Sequence, residues 1–191
     1  MSHSNSDFVT NLPEVIKTER LVLRPVEFGD VEDIYTYASD PEFSRYLPIP
    51  QPYTERSAKE FVARQILADR AVMQAWGIEL FGRIVGGINL RFSDGFMVAE
   101  VGYGLARRCW GNGYMTEAAS VVIDTAFHHI ESLQKVRAMA DKRNVGSWRV
   151  MEKIGMQQEG VLRQNRLINS EMIDEVWTGI LRHEWEARSA T

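Results

Sequence analysis

The sequence contains a single cysteine, Cys109, so it forms no internal disulfide and offers no thiolate cluster to a metal. Its four histidines include no His-x-x-x-His pair and no pairing with carboxylates that would suggest a metal site; no metal is expected. His3 falls in the N-terminal tail, His128 and His129 near a helix C-terminus where cations are favoured, and His183 in the closing segment. Long charge runs are also missing. The 22 Lys and Arg are interspersed with 26 Asp and Glu, and a formal charge of -4 excludes nucleic acid as a main partner. No apolar stretch reaches the length of a membrane span, and residues 1–12 (MSHSNSDFVTNL) lack the apolar centre of a signal peptide. A cytoplasmic protein with no membrane partner is the expectation. No repeat, low-complexity tract or Pro/Gly/Ser linker divides the chain, so one domain is expected. With 191 residues, 45% of them hydrophobic, that domain buries about 70% of the surface its unfolded chain exposes.

The remaining pattern is regular. Arg20-Leu21-Val22-Leu23-Arg24 alternates as a strand and stops at Pro25. Asp30 stands where an N-cap belongs, before a helix with Val31, Ile34, Tyr37 and Ala38 on one face. Three of the six prolines fall within residues 48–52, which predicts a loop. Thr54 is expected to cap a second helix running to about Arg70, with Ala58, Phe61, Val62 and Ile66 inward. Three strands follow, over 76–81, 84–92 and 96–105, with turns at Gly82-Arg83 and Asp94-Gly95. A helix over 113–130 carries a broad apolar face suited to lying on a sheet. Then come a strand over 135–140, a helix over 144–154 stopped by Gly155, and two strands over 160–168 and 173–181. The order βααβββαβαββ predicts an α+β domain: a mixed, largely antiparallel sheet with helices on both faces.

The most informative stretch is Arg107-Arg108-Cys109-Trp110-Gly111-Asn112-Gly113-Tyr114-Met115-Thr116-Glu117-Ala118. A strand ends, two glycines allow a tight path, and a long helix begins. Unpaired amides at a helix start, with the positive end of its dipole, attract phosphate. Arg107 and Arg108 add cationic donors at the rim. Neither a Walker loop nor the dinucleotide fingerprint fits this spacing. On spacing alone, a phosphate site and an ordinary strand-to-helix turn both remain open.

A resemblance extends this reading. Arg108-Cys109-Trp110-Gly111-Asn112-Gly113 resembles the Arg/Gln-x-x-Gly-x-Gly/Ala signature of the GNAT N-acetyltransferase superfamily. Tyr114 to Ala118, Thr18 to Pro25, Ala99 to Leu105 and Asn144 to Met156 resemble blocks of its Rim-type branch, which acetylates N-termini of ribosomal proteins. The similarity covers nearly all of residues 18–186, which makes this segment the acetyltransferase domain, with 1–17 a flexible N-terminal segment and 187–191 a tail.

The resemblance implies acetyl-CoA as acyl donor, in a cleft between two splayed strands. The backbone of Arg108, Cys109, Gly111, Asn112, Gly113 and Tyr114 would bind the pyrophosphate. Backbone groups of Tyr103 and Leu105 would pair with the pantetheine arm, and an amide near Tyr103 would polarise the thioester carbonyl. Cys109 would then act through its main chain. Attack by a neutral amine needs a proton acceptor, and Glu100 is the candidate base. The alternatives for Glu100 are solvent, or an ion pair with a neighbouring arginine such as Arg91. Asn144 and Ser147 carry the spacing of a helix cap; the resemblance gives Asn144 a contact with CoA and Ser147 a place near its sulfur as acid. Many members use a tyrosine there, and this helix has none. Lys153 is either a phosphate contact or part of a solvated face.

Arg45, Tyr46 and Tyr53 are candidates for the acceptor side or for loop packing. The resemblance implies a protein or peptide N-terminal α-amino group as acceptor, ribosomal proteins among them; a polyamine or aminoglycoside is the alternative. A non-catalytic acyl-CoA-binding domain is the remaining alternative; in either case a monomer or homodimer is expected.

Overall fold

The computed structural model describes residues 11–189. Eight strands form one sheet: β1 (Ile16–Lys17), β2 (Val22–Arg24), β3 (Met73–Leu80), β4 (Arg83–Ser93), β5 (Val98–Leu105), β6 (Lys135–Asp141), β7 (Gln157–Ile168) and β8 (Glu171–Leu181). Their spatial order is β1-β2-β3-β4-β5-β6-β8-β7. Every neighbouring pair is antiparallel except β5 with β6. Between the strands lie α1 (Val31–Ala38), α2 (Pro41–Ser44), α3 (Glu55–Ile66), α4 (Tyr114–His129) and α5 (Val145–Lys153), and α6 (Arg182–Ser189) follows β8. The mixed α+β architecture with helices on both faces is as expected, with β1, α2 and α6 added.

Each addition has a physical reason. Order begins before Arg20 because Leu12 and Ile16 are buried, and Ile16–Lys17 pairs with β2. The helix α6 carries one large apolar anchor, Trp185, too sparse a stripe to register as a period. Trp185 stacks on Phe127 at 5.1 Å and donates its indole N–H to Asp124 Oδ1 at 2.7 Å. Arg182 completes the attachment, donating to the carbonyls of Phe127, Ile130 and Leu133 at the end of α4, where a cation opposes the helix dipole.

Several local expectations change. Asp30 makes no side-chain cap for α1; its carboxylate instead accepts from the Glu27 amide and pairs with Arg24 at 2.8 Å. Thr54 does cap α3, accepting from Ser57 N, but the helix ends at Ile66, whose side chain is exposed. The β3–β4 turn is Phe81-Gly82, one residue earlier than expected, both with positive φ between the paired Leu80 and Arg83. Asp94, Gly95 and Phe96 all take positive φ, so β5 starts at Val98.

Two faces of the sheet matter for function. On β5, Glu100, Gly102 and Gly104 share one face because strand side chains alternate. A Cβ at Gly104 would lie 3.0 Å from Phe43, which places α2 over this face. Tyr103 points the opposite way, toward α5.

Candidate active site

The turn leaving β5 is held by its own side chains. Trp110 donates its indole N–H to the Leu105 carbonyl at 2.7 Å, and Asn112 Nδ2 donates to the carbonyls of Cys109 and Trp110. Gly111 and Gly113 have φ of 76° and 79°, a left-handed conformation that side chains disfavour. Gly113 is the N-cap of α4 and supplies no side-chain acceptor. The first amides of a 16-residue helix are therefore left for a ligand.

A brace from the other end of the chain supports this turn. Arg20 Nη1 donates to the Asn112 carbonyl at 2.9 Å, and Arg20 Nε donates to Glu117 Oε2 at 2.6 Å. Thr18 Oγ1 and the Arg20 amide both donate to Glu117 Oε1, and the Arg20 guanidinium sits 4.6 Å over the Tyr114 ring. Burial pushes the Glu117 carboxyl up, but the hydrogen bonds from Thr18 and Arg20 outweigh it and hold the group below its ordinary value. Sequence reasoning missed Arg20 and Glu117 as site residues. Their signal was present in the Thr-Glu-Arg block, but nothing local links it to a helix almost a hundred residues away.

Beside the turn the sheet splits. β5 and β6 pair at Val98↔Lys135, Ala99↔Val136 and Glu100↔Arg137, and then separate. From Val101 onward β5 keeps β4 on one side and has no strand on the other. Every second residue there turns backbone groups into the gap, as an added strand would need. Tyr103 and Leu105 both lie in this stretch, although the Leu105 carbonyl already accepts from Trp110. Gly86 makes the geometry feasible, since a Cβ there would lie 2.4 Å from the Gly104 carbonyl oxygen.

The splayed gap is part of a cleft of about 1400 Å³, lined by the α4 turn, α5, the proline loop and the strands on either side. That volume exceeds the usual range for one small ligand and suits two substrates. Across the gap, the Tyr103 hydroxyl lies 3.1 Å from Ser147 Oγ and donates to the Ser147 carbonyl at 3.2 Å. Asn144 caps α5 by accepting from Ser147 N at 3.2 Å. Burial pushes the Tyr103 phenol up to about 12, with the Ser147 hydrogen bond pulling slightly the other way, so it stays protonated at neutral pH. Helix α5 carries no tyrosine, and the phenol beside Ser147 comes from β5.

Glu100 lines the cleft on the α2 face and neither points to open solvent nor pairs with Arg91. Its partner is Arg137 Nε at 3.4 Å on β6, a contact too poorly aligned to be a hydrogen bond. The Arg137 guanidinium sits 5.1 Å from the Trp177 ring centre. Farther along the same face, Asp141 is buried and gripped by Arg143, which also reaches Glu171. Burial raises the Asp141 carboxyl, and the Arg143 hydrogen bonds bring it below its ordinary value. Tyr46 stacks beneath Arg45 and Arg143 at 5.3 and 6.0 Å, while Tyr53 also lines the cleft.

Cys109 lines the cleft but is buried, and burial raises its thiol, offset in part by Arg108. A protonated, buried thiol is a poor acyl carrier. Lys153 borders the cleft from an exposed position on α5. His128 and His129 bond the carbonyls of Asp124 and Thr125, and no group of metal-ligating side chains occurs among the described residues. No described helix is long and apolar enough to cross a membrane.

Residues 20–157 match the family described as an acetyltransferase (GNAT) domain. The chain belongs to the GNAT family. It is similar to YnaD of Bacillus subtilis (strain 168), an uncharacterized N-acetyltransferase, at 31% identity over 89% of this chain and 98% of the relative. A GNAT-family acetyltransferase structure from Bacillus anthracis superposes with a TM-score of 0.80 at 31% identity, covering 89% of this chain and 99% of that one. The fold is shared with a ribosomal-protein-S5-alanine acetyltransferase from Vibrio fischeri, TM-score 0.76 at 21% identity, covering 90% of this chain and 98% of that one. As a GNAT enzyme, the protein is an acetyl-CoA-dependent N-acetyltransferase. Its α4 amides, left-handed glycines and unpaired β5 edge fit a pyrophosphate with an extended arm. Acetyl-CoA supplies an activated acyl group and a thiolate that leaves readily.

Proposed function

We propose that the protein acetylates a primary amine, a peptide or protein N-terminal α-amino group, by direct attack in a ternary complex. The observation that carries this reading is the gap between β5 and β6, which joins the two faces of the sheet. On one face lie Tyr103, Ser147 and the α4 turn; on the other lies Glu100. An acyl donor bound through Arg108, Cys109, Gly111, Asn112, Gly113 and Tyr114, with Asn144 at its flank, presents its carbonyl at the gap. The amine approaches from the α2 face. Glu100 takes the ammonium proton, directly or through water, and Arg137 orients the carboxylate. The Tyr103 hydroxyl, shared with Ser147, donates to the departing thiolate. Positioning two substrates in one cleft supplies much of the remaining acceleration.

The likeness of fold to the ribosomal-protein-S5-alanine acetyltransferase of Vibrio fischeri supports an N-terminal α-amino acceptor, and with it the Rim-type branch. The test is CoA release with a panel of N-terminal peptides, polyamines and aminoglycosides. Peptides should stimulate release, and E100Q should abolish most of that stimulation while acetyl-CoA still binds. One contact favours a second reading. Arg137 already neutralises Glu100, as a scaffold that binds acyl-CoA without turning it over would allow. Tight binding with no amine-stimulated release would establish that reading instead.

A further inference from the structure

A second arginine–carboxylate unit lines the cleft on the same face as Glu100, and the mechanism above does not use it. It is built by an irregularity in β7. Leu162 pairs with Glu175 and Arg166 with Ile173, so the three residues from Arg163 to Asn165 stand opposite Asp174 alone. Gln164 takes a positive φ of 46° at this bulge and donates its amide to Asp174 Oδ1 at 3.0 Å. Bulges re-aim side chains, and this one brings two onto a single carboxylate. Arg166 Nε lies 2.9 Å from Glu175 Oε1, and Asn165 Nδ2 donates to Glu175 Oε2 at 2.6 Å.

Glu175 is only 2% exposed. A buried carboxylate without partners would be costly; here one oxygen accepts from Asn165 and the other is ion-paired with Arg166. The arginine, by contrast, is only half satisfied. Its side chain is 39% exposed and borders the cleft, and its two terminal nitrogens make no hydrogen bond to protein among the described residues. A planar guanidinium held at Nε and free at its fork is arranged to receive a planar oxygen ligand.

The neighbouring charges point to the same ligand. Glu100, Asp141 and Glu175 share this face through their registers, and each is neutralised by an arginine: Arg137, Arg143 and Arg166. A mouth built for a polycation would leave the carboxylates on this face free, and these three are each paired with an arginine.

We propose that Arg166 is a specificity residue that binds the carbonyl or carboxylate oxygen adjacent to the attacking amine, with Glu175 as its positioning residue. This rests on the acetyltransferase reading above and assigns the recognition of the α-amino acid unit, at a peptide terminus or free, to one residue.

The test compares kcat and KM for three sets of acceptors with matched side chains. These are tripeptides with a free N-terminus, the corresponding free amino acids, and the amines left when the carboxyl group is removed. The wild type should favour one of the first two sets over the third by about tenfold or more in kcat/KM, and which set wins identifies the source of the oxygen. R166M should reduce that preference to within about threefold, acting through KM, with acetyl-CoA affinity unchanged. R166K, which keeps the charge and loses the fork, should fall between. E175Q should raise KM for the preferred set while leaving kcat and acetyl-CoA affinity in place. Should R166M fail to bind acetyl-CoA through misfolding, R166K and E175Q carry the same readout. A preference for the decarboxylated amines, or a preference undiminished in the folded Arg166 variants, overturns this proposal alone. Failure of every amine to stimulate turnover overturns the acetyltransferase reading and this proposal together.

Discussion

The two sides of the β5–β6 gap are made of different materials. The side proposed for the donor is backbone: two glycines with positive φ, a capless helix start, and a strand edge with no neighbour. The side proposed for the acceptor is side chain: Glu100 with Arg137, Asp141 with Arg143, and Glu175 with Arg166. A backbone site needs the right conformation and tolerates many side chains, which suits a donor that never changes. A side-chain site is altered one residue at a time, which suits selection among acceptors. Variants on the acceptor side should therefore change chemistry and acceptor choice, and variants on the donor side should change binding and stability.

The largest effect should come from the acceptor side. Glu100→Gln keeps the size of the residue and removes the proposed base, so kcat should fall about 100-fold while the acetyl-CoA Kd changes little. Steady-state kinetics alongside calorimetric titration separate the two quantities. A large loss of acetyl-CoA binding in this variant would break the division between the sides.

How far each side was legible in the sequence follows from the same contrast. Gly111, Asn112, Gly113 and the strand and helix around them are consecutive, so one local pattern carries the conformation, and both glycines take the left-handed turn before α4. The acceptor side joins residues that neighbour one another only once β8 has inserted between β6 and β7. Glu175 reads as an ordinary strand acid until a bulge at Arg163 to Asn165 brings Arg166 onto it. Arg91, one example of an alternative partner for Glu100, is its neighbour in register on β4, yet the ion pair forms with Arg137 across the parallel strand pair. No periodicity distinguishes those two arginines. The helix α6 was missed for a related reason, since its one anchor has meaning only against Phe127.

Next in size is the brace behind the donor turn. Glu117→Gln replaces a carboxylate that accepts from Thr18 and Arg20 and should cost about 2 kcal/mol of stability, with weaker acetyl-CoA binding. The pH dependence has a definite sign. The folded-state value of Glu117 is depressed, so its contribution is fully present above the ordinary Glu value of about 4.3 and is lost as pH falls through the lower folded value. Thermal unfolding between pH 7 and pH 3 should show the wild type and Glu117→Gln converging at the acid end, because protonation removes what the substitution already lacks. A constant difference in Tm across that range would detach Glu117 from the brace.

Tyr103 lies on the boundary between the two sides, with its backbone in the donor strand edge and its hydroxyl on Ser147. Tyr103→Phe removes one hydrogen bond worth about 1 kcal/mol, so kcat should fall about fivefold while the acetyl-CoA Kd holds. An alkaline limb in the pH–rate profile of the wild type, absent from Tyr103→Phe, would have to lie near 12, where burial has pushed the phenol. An alkaline limb between pH 7 and pH 9 shared by both proteins belongs to the amine or another group. Ser147→Ala leaves the phenol without its Oγ partner but with the Ser147 carbonyl, and its effect should be smaller than that of Tyr103→Phe.

The smallest effect should come from the residue a sequence reader most readily suspects. Cys109 is the only cysteine, stands inside the donor turn and lines the cleft, which makes a thiol carrier of the acetyl group chemically natural. Its side chain is buried, however, and its thiol is raised by that burial, so the nucleophilic thiolate is scarce at neutral pH. Its carbonyl, meanwhile, holds Asn112 in place. Cys109→Ala should cost about 1 kcal/mol of stability through lost packing and leave kcat within about twofold. A large fall in kcat at unchanged acetyl-CoA affinity, together with an acetylated Cys109 trapped by rapid quench, would put side-chain chemistry on the donor side and end the distinction between the two halves of the cleft.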